Sequence, residues 1–143
     1  MASAGIVRDI YRKLGGAEIF DRELATDTDL ARVVHAGLSV RVLDFTKLTR
    51  PEIFSLIIPE RTLRHRRQRD QRLSQEETGR LVRLTRIQAI AEEVFEDADK
   101  AGRWLRQPLN ILDDRAPLDY AATEPGARVI EQLLAKIAWG AAA

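Results

Sequence analysis

The sequence feature that most constrains the fold is a long apolar stripe that begins near the middle of the chain. Ser74 and Glu77 stand three positions apart, the spacing of a capping box at the start of a helix. Beyond them, apolar residues recur every three or four positions, at Leu81, Leu84, Ile87, Ala91, Val94 and Phe95. This period predicts one long amphipathic helix over residues 75–96, with one side in a hydrophobic core.

The rest of the chain predicts further helices and no sheet. Alternating β-branched runs and the Asn-Gly or Asp-Gly turns of hairpins are missing from the sequence. We expect helices over residues 3–16, 29–36, 40–47, 50–58, from about 60, from about 98 to 107, and 124–139, with a loop over 107–116 and a single turn at 118–121. Their expected N-caps include Thr28, Ser39, Thr49 and either Asp97 or Asp99, and Gly140 is expected to end the last helix. The predicted fold class is therefore all-α.

Positive charge is concentrated in one segment of the chain. The net charge is only +1, yet residues 61–72 hold six arginines with Asp70 as the single acid. Residues 92–124 hold nine acids against four basic residues. A basic centre followed by an acidic third indicates two surfaces with different partners.

The basic segment has the layout of a helix-turn-helix motif. Residues 48–59 predict a short helix and a tight turn, and a second helix follows from Glu60, with Leu63 as its inward residue. A helix so rich in arginine suits the DNA major groove and the flanking phosphates. The predicted DNA-binding residues are Arg61, Thr62, Arg64, His65, Arg67 and Arg69. The alternatives are a solvated basic face and a protein interface with no role in DNA binding.

Signals for catalysis and for metal binding are weak. The chain has no cysteine, and His35 and His65 stand thirty positions apart, so neither a thiolate nor a histidine cluster is indicated. The adjacent pairs Glu76–Glu77 and Glu92–Glu93 are expected to be solvated helix surface. We expect no enzyme, no catalytic residue, no metal and no cofactor. Without a signal peptide or a membrane-length apolar run, we expect a cytoplasmic protein with no membrane partner.

The carboxy-terminal third carries a more specific pattern. Its elements are Trp104-Leu105, Pro108, Asn110, Leu112, Pro117-Leu118-Asp119, Gly126, Val129, Leu133, Ile137 and Gly140. This pattern resembles the toxin-binding domain of the Xre/MbcA/ParS antitoxin family. The segment 52–74 is similar to the helix-turn-helix half of Xre-type antitoxins, so the resemblance covers residues 25–140.

Two positions depart from the usual helix-turn-helix pattern. Ile57 stands where the turn often carries glycine. Arg66 stands three positions after Leu63, where an apolar residue is common. These departures affect how the second helix would be oriented on DNA, and not the prediction of a helix-turn-helix itself.

The resemblance implies an antitoxin with two modules, a helix-turn-helix domain at 1–73 and a toxin-binding domain at 74–143 joined through the long helix. It implies a RES-type toxin, which degrades NAD, as one partner and promoter DNA as the other. The toxin-binding residues expected on this basis are Trp104, Leu105, Pro108, Asn110, Pro117, Leu118, Asp119 and Gly140. Trp139, near the end of the last helix, is expected to join them as an aromatic interface anchor. The alternative is that Trp104 and Trp139 are both core residues. The alternative function is a stand-alone repressor without a toxin.

We also expect a homodimer, since helix-turn-helix proteins usually read paired half-sites. The sequence does not single out the surface that would form the dimer contact. The apolar residues of the first predicted helix are one candidate: Ile6, Val7, Ile10, Tyr11 and Leu14.

Overall fold

The computed structural model describes residues 4–142, and within that range every regular element is a helix. The described part contains no β-strand, only isolated bridges between Ser39 and Arg72 and between Leu109 and Arg115. The helices are α1 (Ala4–Lys13), α2 (Asp27–Ala36), α3 (Arg50–Leu56), α4 (Glu60–Gln68), α5 (Gln75–Phe95), α6 (Ala98–Arg106), α7 (Pro117–Tyr120) and α8 (Glu124–Ala142), with 3-10 helices at Gly16–Glu18, Val40–Asp44 and Asn110–Leu112. The predicted all-α fold class is confirmed.

The chain divides into two compact units, residues 1–85 and 86–143. The division falls inside α5, between Thr85 and Arg86. The predicted boundary of the functional modules, between residues 73 and 74, lies at the start of the same helix and stays a prediction.

The core of the first unit includes the apolar sides of α1 and of the first half of α5. Ile6, Ile10 and Leu14 follow one another at helical spacing and are buried, as are Leu81 and Leu84. Further buried side chains come from the segments between them: Leu30, Leu38, Val40, Val42, Leu43, Leu48, Ile53, Ile57, Ile58, Leu63 and Leu73. The inward side of α1 is therefore covered by the chain itself and is not free for a dimer contact.

The second unit has its own core, between the end of α5 and helices α6 to α8. Ile87, Leu105, Leu118, Ile130 and Leu134 are all buried there. The rings of Phe95 and Trp104 lie 5.7 Å apart at an angle of 47° on its α5–α6 side. This tilted arrangement is one that aromatic pairs favour.

Several helix ends differ from the sequence-based expectation. Thr26, not Thr28, caps α2, because its extended backbone lets Oγ1 accept from the amide of Asp29 at 3.1 Å. The Asp29 carboxylate accepts in return from the amides of Ala25 and Thr26, which lowers the pKa of Asp29. Asp97 is the cap of α6, with Oδ1 accepting from the amides of Asp99 at 2.8 Å and Lys100 at 3.1 Å.

Three further segments differ from the sequence-based expectation: the one after Ser39, the loop 107–116 and the end of α8. After Ser39, the chain forms a 3-10 helix over Val40–Asp44 that buries three apolar residues, and the expected helix to residue 47 is wrong. The expected loop 107–116 contains the 3-10 helix Asn110–Leu112. Gly140 does not end α8, which continues to Ala142. An added Cβ at Gly140 would meet no atom within 4 Å, so this glycine serves no close packing contact.

Candidate functional site

Helices α3 and α4 form two consecutive short helices with a three-residue connection at 57–59. Thr49 and Glu52 form a capping box at the start of α3, where Pro51 occupies the first turn. Ile57 has φ of −112° and is buried, so this turn needs no glycine. The first departure from the usual motif is thereby explained.

Helix α4 turns one apolar residue inward and a basic face outward. Leu63 is buried, as predicted, while Thr62 is half-buried. The predicted DNA-binding residues Arg61, Arg64, His65 and Arg67 lie on α4, and Arg69 is exposed directly after its end. Of the four on the helix, Arg61, Arg64 and His65 are exposed, and the side chain of Arg67 is 40% exposed. The structure therefore leaves all of the predicted set except the half-buried Thr62 accessible to solvent, and we call the exposed residues Arg61, Arg64, His65, Arg67 and Arg69 the basic face.

The arginines of this segment fall into two groups by what they contact. Arg64 lies 3.8 Å from Glu60, and Arg67 lies 3.4 Å from Asp44. Both ion pairs are accessible to solvent and contribute little to the stability of the fold. Among the described residues, Arg61 and Arg69 form no ion pair, so no acidic side chain neutralises their positive charge. Arg72 instead donates to the backbone carbonyl of Gly37 at 2.7 Å and serves the fold.

Arg66 and Glu77 form the second structural contact, in which Nη1 of Arg66 donates to Oε1 of Glu77. The side chains are 20% and 9% exposed, respectively. The expectation that Glu76 and Glu77 are both solvated is therefore wrong for Glu77, although Glu76 is exposed. The pairing was missed because its partners stand eleven positions apart and on different helices.

The residues implied in toxin binding separate into a buried and an exposed group. The buried members are Leu105, Pro117 and Leu118, which lie in the core of the second unit. They can support the surface residues above them but are not accessible to a partner. Trp104 is half-buried against Phe95. The exposed members are Pro108, Asn110, Asp119, Trp139 and Gly140, and Trp139 is the most open large apolar side chain of the described residues, at 80% exposed.

A further exposed apolar residue, Ile111, was missed by the sequence reasoning. It is 72% exposed and lies in the 3-10 helix of the segment 109–115. Leu109 bonds to both Arg115 and Asp114 through its backbone, at 3.1 and 3.0 Å, and closes this loop. A single apolar residue in a loop has no period to identify it.

The same loop contains two consecutive residues in the left-handed region. Asp113 has φ of 56° and Asp114 has φ of 63°. Non-glycine residues adopt this conformation at an energetic cost, and aspartate is among those that tolerate it. Such conformations persist where the surrounding contacts hold them, often at binding surfaces.

A shallow pocket lies beside this loop in the second unit. Its volume is about 270 Å³, and its lining includes Arg115, Asp119, Tyr120, Gly126 and Val129. Val129 is the third exposed large apolar residue of the described chain, after Trp139 and Ile111. All three belong to the second unit, so the exposed large apolar side chains of the described residues are found there.

The described helices include no candidate membrane span. Within residues 4–142, even the longest helices lack the combination of length and apolar character that crossing a bilayer requires.

Comparison with known proteins finds a family model for the carboxy-terminal part of the chain and relatives that match most of its length. Residues 91–140 match the model described as the antitoxin Xre/MbcA/ParS C-terminal toxin-binding domain. The chain is 37% identical over 123 residues to an antitoxin Xre of Pseudomonas putida, covering 82% of this chain and 76% of the relative. It is 32% identical over 119 residues to an antitoxin Xre of Yersinia enterocolitica, covering 79% of this chain and 80% of the relative.

Proposed function

Since this chain belongs to the Xre family of antitoxins, we propose that it neutralises a RES-type, NAD-degrading toxin and represses its own operon by binding promoter DNA. The toxin-binding surface is assigned to the second unit and the DNA-binding surface to the basic face of α4. The family membership favours a regulatory protein over an enzyme. The observation that carries the proposal is the match of residues 91–140 to a toxin-binding domain, combined with the basic face outside that match.

The DNA-binding part rests on the arrangement of α4. A helix that buries only Leu63 presents most of its circumference to a groove. Arg61 and Arg64 are suited to guanine edges or phosphates, because guanidinium groups donate two parallel hydrogen bonds. Helix α3 lies directly before it in the position of the first helix of the motif, which crosses the DNA backbone.

A gel shift with the DNA upstream of the gene tests this part. Replacing Arg64 and Arg67 by alanine is expected to weaken binding by about 1–3 kcal/mol for each arginine that reads a base. Binding by the parent is expected to fall steeply with added salt. The matched control replaces Arg12 and Arg128, exposed arginines of α1 and α8, and removes the same charge. Equal affinities of the two double variants would contradict the assignment.

We infer that the DNA-bound form is a dimer. Paired half-sites about one helical turn apart require two copies of α4. The inward side of α1 is covered by its own unit, so the contact must use another surface. Light scattering is expected to show at least a dimer at micromolar concentration on DNA, and a monomer would contradict this.

The toxin-binding part rests on the exposed apolar residues of the second unit. Trp139 stands in the last turns of α8, and aromatic residues frequently dominate the binding energy of protein interfaces. Ile111 and Val129 add apolar area on the same unit. We assign the end of α8 to the neighbourhood of the toxin's active site.

Truncation of α8 tests this assignment in a growth assay. A chain that ends at Lys136 is expected to lose neutralisation while it still binds the upstream DNA. A chain that ends at Gly140 keeps Trp139 and is the control, expected to neutralise the toxin. Full neutralisation by the shorter chain would exclude a role of the tail. Failure of the neighbouring gene product to co-purify with the full chain would favour a stand-alone repressor.

A further inference from the structure

The first turns of α5 hold the helix-turn-helix segment at two points and the chain before that segment at a third. Glu77 binds Arg66 of α4, and Arg80 donates to the carbonyl of Ile57 in the turn at 3.1 and 2.8 Å. Thr78 accepts from the amide of Leu38 at 3.1 Å. We propose that Glu77 is a positioning residue for DNA recognition, which holds α4 through Arg66. This inference rests on the proposed binding of DNA by α4.

One oxygen of Glu77 joins two helices. Its Oε1 accepts from Arg66 and also from the backbone amide of Ser74, at 2.8 Å, within the capping box of α5. The amide of Glu77 donates in return to Ser74 Oγ at 3.1 Å. Arg66 further donates to the carbonyl of Arg72 at 3.5 Å. Both side chains of the ion pair therefore also form a hydrogen bond to the backbone, Arg66 to a carbonyl and Glu77 to an amide, and both are largely buried.

The need for this contact follows from how little of α4 is buried. Leu63 is its one buried residue, and the accessible Arg67–Asp44 ion pair adds little stability, so few contacts fix the rotation of α4 about its own axis. Arg66 lies three positions further on, hence on the same side as Leu63. It supplies a second point of attachment where an apolar residue is common. Because successive residues differ by about 100° around a helix, the two attachments together decide where Arg61 and Arg64 point.

The bonded charges also make the attachment directional. A hydrogen-bonded ion pair of low exposure has a narrow range of good geometries, whereas an apolar contact tolerates sliding. Breaking it from one side leaves a charge without its partner in a poorly solvated place. Removal of the Glu77 carboxylate therefore releases Arg66 and with it the orientation of α4.

Hydrogen exchange without DNA tests the attachment itself. Glu77→Ala is expected to speed exchange of the α4 amides about tenfold relative to Glu76→Ala, its neighbour with an 88% exposed side chain. Glu77→Gln keeps the acceptor oxygen and is expected to recover most of the protection. If Glu77→Ala does not fold, Glu77→Gln against Glu76→Gln decides, with about threefold faster exchange expected. Equal exchange in the pair that is compared overturns the proposal.

Binding to operator and to random DNA tests the consequence for recognition. Glu77→Ala is expected to lower operator affinity about tenfold, the effect of one misplaced base-reading arginine, with random DNA bound as before. Arg66→Met is expected to lower the operator preference and leave the salt dependence unchanged. A salt slope that falls by about one would make Arg66 a phosphate contact and overturn the proposal. If the parent protein binds no upstream DNA fragment, the proposed DNA-binding function is overturned. The hydrogen-exchange experiment needs no DNA, so it still tests whether Glu77 holds α4 and separates the two failures.

Discussion

Gly126→Ala is the substitution whose effect the structure determines most sharply. Gly126 lies in the first turn of α8, and its amide donates to Thr123 Oγ1 at 3.1 Å. A Cβ at this position would overlap the carbonyl oxygen of Tyr120. It would also lie 2.8 Å from Thr123 Oγ1 and 2.9 Å from the carbonyl carbon of Tyr120. Because the obstructing atoms belong mainly to the backbone at the end of α7, they cannot rotate away as a side chain would.

Two opposing effects decide the magnitude. Alanine favours a helix over glycine by about 1 kcal/mol. Forcing an extra carbon into a packed site costs typically about 1–3 kcal/mol, and more where the backbone must shift. Since the overlap here is with backbone, we expect the second effect to prevail and the free energy of unfolding to fall by about 2 kcal/mol. For a chain of this size, that lowers the unfolding midpoint by roughly 5–10 °C.

Tryptophan fluorescence is a suitable assay, because both tryptophans, Trp104 and Trp139, belong to the second unit. Gly140→Ala is the matched control in the same helix, where an added Cβ meets nothing within 4 Å. It is expected to leave stability unchanged or to raise it by at most about 1 kcal/mol. If Gly126→Ala unfolds at the same midpoint as Gly140→Ala, the reasoning from the Tyr120 carbonyl is refuted.

Three further results are expected. Leu63→Ala removes the one buried side chain of α4 and should lower the free energy of unfolding by about 2–4 kcal/mol in urea titration followed by circular dichroism; an unchanged midpoint would mean that α4 is not held there. Trp139→Ala should keep stability within about 0.5 kcal/mol of the parent and weaken toxin binding at least tenfold by calorimetry; undiminished affinity would remove Trp139 from the interface. Hydrogen bonds from the amides of Lys100 and Asp99 lower the pKa of Asp97, so its carboxylate stabilises the fold above its ordinary pKa, and this contribution is lost as the pH falls through the lowered pKa. Asp97→Ala should therefore have a lower free energy of unfolding than the parent at pH 7. A difference in unfolding free energy that does not shrink below about pH 4 would contradict the capping role.

The long helix shows what could be predicted from sequence. The capping box at Ser74 and the apolar period beyond it place α5 within one residue at each end. Both signals lie within a few residues of each other, because a helix is built from bonds and side-chain contacts three and four positions apart. The same local logic found Leu63 as the inward residue of α4 and the accessible arginines around it. The resemblance to the antitoxin family was likewise a matter of residue types at given spacings.

The candidate surfaces required the tertiary structure. Local preference could not choose between Thr26 and Thr28 as a cap, since that depends on which backbone is extended. It could not separate the buried Leu105 from the exposed Ile111, because a loop residue has no period. Whether an exposed tryptophan stood at the end of α8 was equally open.

The ion pair of α4 and α5 shows the physical reason for this limit. From the sequence, Glu77 was one of two adjacent acids on a helix surface, and Arg66 was a departure from a pattern. The sequence determined the helices, most of their caps and the charge that each carries. Only the packing of α4 against the start of α5 brought these two residues together, since side-chain burial and pairing depend on contacts between segments distant along the chain.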